Sequence, residues 1–110
     1  MKEDVLKIIN HYGVMHQLKY FQSEIFELNE AIIRYEDFNE FDSESMLKKD
    51  YDEYLKENIM EEIADVMVML EQFKNYYGIS SGEITRIFWS KVYRQLDRIE
   101  KEEENVKDKR

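Results

Sequence analysis

The chain has 110 residues, which is enough for one domain with a modest core but not for two. Its 16 Lys and Arg against 25 Asp and Glu give a net charge of −9 with both His neutral, and this disfavours broad binding to nucleic-acid polymers or anionic membranes. The lack of Cys excludes disulfides and thiolate sites. No window approaches the ~18 apolar residues of a membrane span, and the first residues do not form a signal peptide, so we expect a cytoplasmic protein.

The residue types and their spacing predict an all-α fold. Leu, Glu, Lys, Ile and Met dominate, and strand-type alternation is missing. A short first helix is predicted over residues 3–11 and is ended by Gly13, and a second helix extends from Val14 to about Asp37. The second helix has an apolar seam that steps by threes and fours, formed by Val14, Leu18, Phe21, Ile25, Leu28 and Ile32.

The second half of the chain repeats this pattern after an interruption. Residues 38–45 are predicted to form a turn, and residues 46–57 a charged, exposed segment that can be helical. The third long helix has a matching seam and stops at Gly78; its seam residues are Ile59, Ile63, Val66, Leu70, Phe73 and Tyr77. A fourth helix begins at Ser80, which has capping-box spacing to Glu83, and its charged tail covers residues 100–110. We therefore predict a single domain over residues 1–110, an antiparallel bundle of about four main helices.

Four acidic residues occupy matching phases of the two seams. Glu24 directly precedes Ile25 just as Glu62 directly precedes Ile63, and one turn later come Glu27 and Asp65. Asp65 lies in a run of otherwise apolar residues, so we expect it close to the core, where an unpaired carboxylate costs several kcal/mol. Antiparallel packing would bring the four carboxylates together beside the seam, and this arrangement needs a cation.

The ligand atoms indicate which cation. Oxygen ligands without His or Cys select hard ions, Mg²⁺ first and Mn²⁺ second. A di-iron bundle would need Glu-x-x-His, and neither His11 nor His16 follows a Glu by three residues. The alternative is that the two acidic motifs are only solvated helix faces.

A carboxylate-bound Mg²⁺ commonly serves a phosphorylated ligand. Lys91, Arg94 and Arg98 form one basic stripe on the fourth helix and are candidates to hold phosphate oxygens, unless they simply pair with surface acids. Gln17, two turns before Glu24, is a candidate hydrogen-bonding partner of such a ligand, unless it is only a polar surface side chain.

Over roughly residues 11–99 the sequence resembles the MazG-like family of all-α nucleoside triphosphate pyrophosphohydrolases. The matching strings are Tyr12-Gly13 followed by Gln17, Glu24-Ile-Phe-Glu27-Leu28, Glu61-Glu62-Ile-Ala-Asp65-Val66, and Lys91 with Arg94 and Arg98. The resemblance implies that Glu24, Glu27, Glu62 and Asp65 bind Mg²⁺ as the catalytic residues. It also implies a homo-oligomer, dimer or tetramer, that hydrolyses a nucleoside triphosphate to the monophosphate and pyrophosphate.

Two alternatives use the same helices without catalysis. The chain would be either a helical oligomerisation module, in which the acids only keep it soluble, or a nucleotide sensor without turnover. The sequence leaves the nucleotide and the number of subunits open.

Overall fold

The protein is described by a computed structural model that covers residues 2–39 and 46–108. Four helices account for nearly all of these residues: α1 (Lys2–Tyr12), α2 (Val14–Asn39), α3 (Met46–Tyr76) and α4 (Ser81–Asp108). Within the described ranges there is no strand, so the all-α prediction is confirmed. No helix in those ranges has both the length and the apolar character needed to cross a bilayer.

Gly13 separates α1 from α2 and serves both helices. Its φ of 91° lies in the left-handed region, and its N–H donates to the carbonyl of Ile9 at 2.8 Å, which is the bond of an αL C-cap. Its own carbonyl accepts the N–H of Gln17 at 3.0 Å and so begins α2. One glycine therefore ends one helix and starts the next, as the sequence predicts for the end of α1.

The third helix is longer than expected. The charged segment 46–57 is continuous with the predicted third helix, and together they form the 31 residues of α3. The expectation that this segment is exposed is wrong at Leu55, which is fully buried. Part of the predicted turn is also helical, because α2 extends to Asn39. Residues 40–45 of that turn lie outside the described residues.

The chain divides between Tyr77 and Gly78 into two compact units, and the prediction of a single domain stays a prediction. In the first unit α2 and α3 make the most extensive contacts, and α1 packs against both. The contacts join early α2 to late α3, such as Phe21 with Phe73, and late α2 to early α3, such as Phe38 with Tyr51. This pairing is antiparallel, as predicted.

The buried line of this helix pair differs from the predicted seam. On α2 the buried residues are Gln17, Glu24 and Ala31, one heptad apart and each one position before a predicted seam residue. Leu18 and Ile32 are 41% exposed. The face of α2 that contacts α3 therefore contains the residue before each predicted seam residue. This places the polar side chains of Gln17 and Glu24 on the interface between the two helices.

The second unit contains α4. Ser80 is its N-cap, since Ser80 Oγ accepts the backbone N–H of Glu83 at 3.2 Å, as the capping-box spacing predicts. Along α4 only Val92 is half-buried among the described side chains. Its large apolar residues are between 42% and 65% exposed; they include Ile84, Phe88, Trp89, Tyr93, Leu96 and Ile99.

Candidate metal centre and adjoining cavity

Three of the four predicted acids converge between α2 and α3. Glu24, Glu62 and Asp65 each offer one carboxylate oxygen, and these oxygens all lie within 4.8 Å of one another. Glu24 comes from α2, whereas the other two are one turn apart on α3. The antiparallel pairing of the two helices brings the acidic motifs to the same level.

Burial is distributed differently from the prediction. Glu24 is the buried member, at 4% exposed, and Glu62 is half-buried. Asp65 is exposed, so the expectation that it lies close to the core is wrong. Asp65 precedes the predicted seam residue Val66 just as Glu62 precedes Ile63, so the one-residue shift does not account for its exposure. Its side chain lies where the interface between α2 and α3 opens into a cavity, which it lines together with Glu24.

The two acids on the interface carry incompletely satisfied oxygens. Oε2 of Glu24 and Oε2 of Glu62 are both buried and have no hydrogen-bond partner among the described residues. A buried carboxylate oxygen without a donor loses its hydration without compensation. A cation between these oxygens would supply that compensation, which fits the oxygen-only ligand set.

The electrostatics of the site agree with its geometry. Burial raises the pKa of the Glu24 carboxyl above its ordinary value, and the negative charges of Glu27 and Asp65 raise it further. The Tyr20 hydroxyl donates a hydrogen bond to Glu24 and acts in the opposite direction. Burial also raises the pKa of Glu62, followed by the charge of Glu27. Each group is therefore driven toward its neutral form, as expected where carboxylates are crowded without a cation.

Glu27, the fourth predicted ligand, lies at the margin of this cluster. Its charge raises the pKa of both Glu24 and Glu62, which places it beside them. Its side chain is exposed, and it is not one of the three acids whose oxygens converge within 4.8 Å. Its role as a metal ligand stays a prediction.

A cavity of about 390 Å³ opens beside the carboxylates. Glu24 and Asp65 line one part of it, and Gln17 and Gln72 line another. Its remaining walls are mainly apolar or aromatic: Ile8, Tyr12, His16, Tyr20, Val68 and Met69. Its volume and mixed lining are typical of small-molecule sites.

Gln17, the predicted hydrogen-bonding residue, lines this cavity, and its role in binding a ligand stays a prediction. Its amide is 4% exposed, and its Nε2 donates to Oε1 of Gln72 at 2.9 Å. Gln72 was not singled out by the sequence analysis. A signal for it exists, since Gln72 follows the predicted ligand Asp65 by seven residues, which is two helical turns, and therefore lies on the same helix face.

The predicted basic residues belong to the second unit. Lys91, Arg94 and Arg98 are all exposed on α4, at intervals of three and four residues, so they share one face of that helix. Their role in holding phosphate stays a prediction.

Comparisons of the chain with models of protein families, with curated proteins and with solved structures found no match.

Proposed function

We propose that the protein is a Mg²⁺-dependent nucleoside triphosphate pyrophosphohydrolase. The observation that carries the proposal is the convergence of three carboxylates within 4.8 Å, two of which, Glu24 and Glu62, hold buried oxygens without a hydrogen-bond partner. An acidic cluster on a protein surface is commonplace, but buried and unpartnered acceptors are costly unless something binds them. The resemblance of the acidic motifs to the MazG-like family points in the same direction.

The residues present fit a hard divalent cation. Glu24, Glu62 and Asp65 would hold it, with Glu27 beside them, and Mn²⁺ could replace Mg²⁺ because the donor set is oxygen alone. The ion would supply neutralisation of the charge on the triphosphate as the bond breaks.

The chain's own residues would bind and orient the reactants. The carboxylates would orient a water molecule toward a phosphorus of the bridge between the α- and β-phosphates. The water oxygen bonds to that phosphorus, the P–O bond of the bridge breaks, and pyrophosphate leaves. One proton of the water passes to a carboxylate or to solvent. Lys91, Arg94 and Arg98 are the candidates to hold the phosphate oxygens.

The direct test is turnover. Purified protein with Mg²⁺ is incubated with a panel of common and damaged nucleoside triphosphates, and monophosphate and pyrophosphate are measured. We expect at least one member to be converted and Asp65→Asn to abolish the conversion. Glu30→Gln, which changes an exposed acid of α2 outside the site, is the matched control and should retain activity. A correctly folded protein that hydrolyses no member would refute the proposal.

A homo-oligomer, dimer or tetramer, is part of this proposal. The described residues of the single chain include four buried hydrophobic side chains, Ile9, Ala31, Leu55 and Met69, whereas the large apolar residues of α4 are exposed. Association with further copies would cover such a surface. The same observation favours the second candidate function, a non-catalytic oligomerisation module. That module would show no stabilisation by Mg²⁺, whereas a ligand that binds the folded state raises its stability.

A further inference from the structure

The cavity beside the carboxylates contains a buried pair of amides. Gln17 and Gln72 are 4% and 1% exposed, and they join α2 to α3 through a bond of 2.9 Å between Gln17 Nε2 and Gln72 Oε1. A glutamine amide can face either way, since its oxygen accepts and its nitrogen donates. Buried polar side chains need partners, so the orientation of each amide depends on its neighbours.

His16 sets the direction of this pair. Its Nδ1 lies 2.9 Å from Gln17 Oε1 and donates to it in the tautomer that carries the proton on Nδ1. Tyr12 stacks on the His16 ring with centroids 5.1 Å apart and holds it in place. Because Gln17 Oε1 accepts from His16, Gln17 Nε2 donates to Gln72 Oε1. The Gln72 amide nitrogen therefore faces away from Gln17.

The nitrogen of Gln72 has a weak partner. Gln72 Nε2 donates to the thioether sulfur of Met69 at 3.5 Å. An amide nitrogen carries two N–H groups, and a thioether is a poor acceptor. A carbonyl oxygen of a ligand in the cavity would be a better acceptor for this nitrogen than the sulfur is.

We propose that Gln72, oriented by Gln17 and His16, is a specificity-determining residue that donates a hydrogen bond to a ring carbonyl of a planar nitrogen heterocycle. The inference rests on the proposed function, because it takes the ligand to be a nucleotide whose phosphates lie toward Glu24 and Asp65 at the other part of the cavity. A donor at this place favours bases that have a ring carbonyl, such as uracil and guanine, over adenine, which has none.

The experiment measures binding without turnover. The full chain, labelled with ¹⁵N, is titrated with UMP, GMP and AMP in the presence of Mg²⁺, and the side-chain amide signals of glutamine are followed. We expect the Gln72 signal to move with UMP and GMP, and the Kd for AMP to be about tenfold higher, which corresponds to one hydrogen bond.

Two variants test the residue itself. The double variant Gln17→Leu with Gln72→Leu replaces both partners by apolar groups of similar size, which is close to neutral for folding, and it should bring the three Kd values together. Gln72→Met, which keeps the length of the side chain and removes the donor, should do the same if the double variant does not fold. Gln22→Leu is the control: Gln22 is exposed on α2, the helix that carries Gln17, and this variant should keep the preference.

The outcomes separate the inference from the proposed function. Equal binding of UMP and AMP by the unaltered protein, a preference that survives Gln72→Met, or no binding of any monophosphate would overturn the inference. If the unaltered protein prefers UMP and GMP to AMP but hydrolyses no triphosphate, the proposed pyrophosphohydrolase activity is refuted and the assignment of Gln72 is supported.

Discussion

The variant Glu24→Gln should stabilise the metal-free protein and remove its stabilisation by Mg²⁺. Glu24 is the most buried of the three converging acids and has an unpartnered oxygen. Glutamine keeps the shape and one oxygen acceptor but loses the charge. The change therefore removes repulsion in the absence of metal and one ligand in its presence.

The size of the effect follows from the geometry. Two unit charges 4.8 Å apart, the largest separation of the converging oxygens, repel by about 1 kcal/mol in water and about 3 kcal/mol at an effective dielectric constant of 20. The exposed Asp65 takes the lower value, and the half-buried Glu62 lies between the two. Loss of the charge-assisted bond from Tyr20 costs about 1 kcal/mol. The net gain should be about 1–3 kcal/mol. Each kcal/mol corresponds to roughly 4–8 °C in Tm.

The assay is unfolding by heat or urea at pH 7, in EDTA and in excess Mg²⁺, at one protein concentration because association also changes Tm. Glu30→Gln is the control, since it removes an equal charge from an exposed position on the same helix. The reasoning is wrong if Glu24→Gln destabilises the protein in EDTA, or if Mg²⁺ raises the Tm of this variant as much as that of the unaltered chain.

Three further predictions concern pH, the helix junction and the surface of α4. Burial raises the pKa of Glu24 above 4.5, so near that pH the folded state retains a proton that the unfolded chain has lost. The stability advantage of Glu24→Gln in EDTA should therefore be absent well below pH 4.5 and grow as pH rises through the raised pKa. Urea titrations that give a pH-independent advantage would contradict this. Gly13→Ala should lower the free energy of unfolding by about 1–2 kcal/mol, because φ is 91° at this position. Gly82→Ala should cost nothing, because Gly82 is helical and a Cβ there meets open space. Equal effects of the two variants in urea would exclude backbone strain as the cause. Phe88→Glu on the apolar face of α4 should reduce the mass measured by light scattering, and Ser90→Glu, on the opposite face, should not; an unchanged mass for Phe88→Glu would argue against association through this face.

The local features of the fold could be read from the sequence because they depend on neighbours along the chain. Gly13 has the backbone freedom that the end of α1 needs, and Ser80 has a side chain that accepts an N–H three residues later. The spacing of apolar residues indicated helices throughout. The length of α3 could not be predicted in the same way, because its first turns are mostly charged and the burial of Leu55 depends on contacts with other helices.

The acidic motifs are also a property of the sequence, and their matching phase predicted that Glu24, Glu27, Glu62 and Asp65 would converge. Three of the four, all but Glu27, do so within 4.8 Å. The tertiary structure decided which of them is buried. A helix turns by about 100° per residue, so a seam displaced by one position exchanges the residue that faces the partner helix with its neighbour. Glu24 and Glu62 thereby lie on the interface, and Gln17 meets Gln72 across it. Asp65 also precedes a predicted seam residue, yet it is exposed, and it lines the cavity beside the interface. The sequence by itself determined the helices and the set of candidate ligands. Only the packing of α1, α2 and α3 determined the burial of these ligands, their unpartnered oxygens and the cavity beside them.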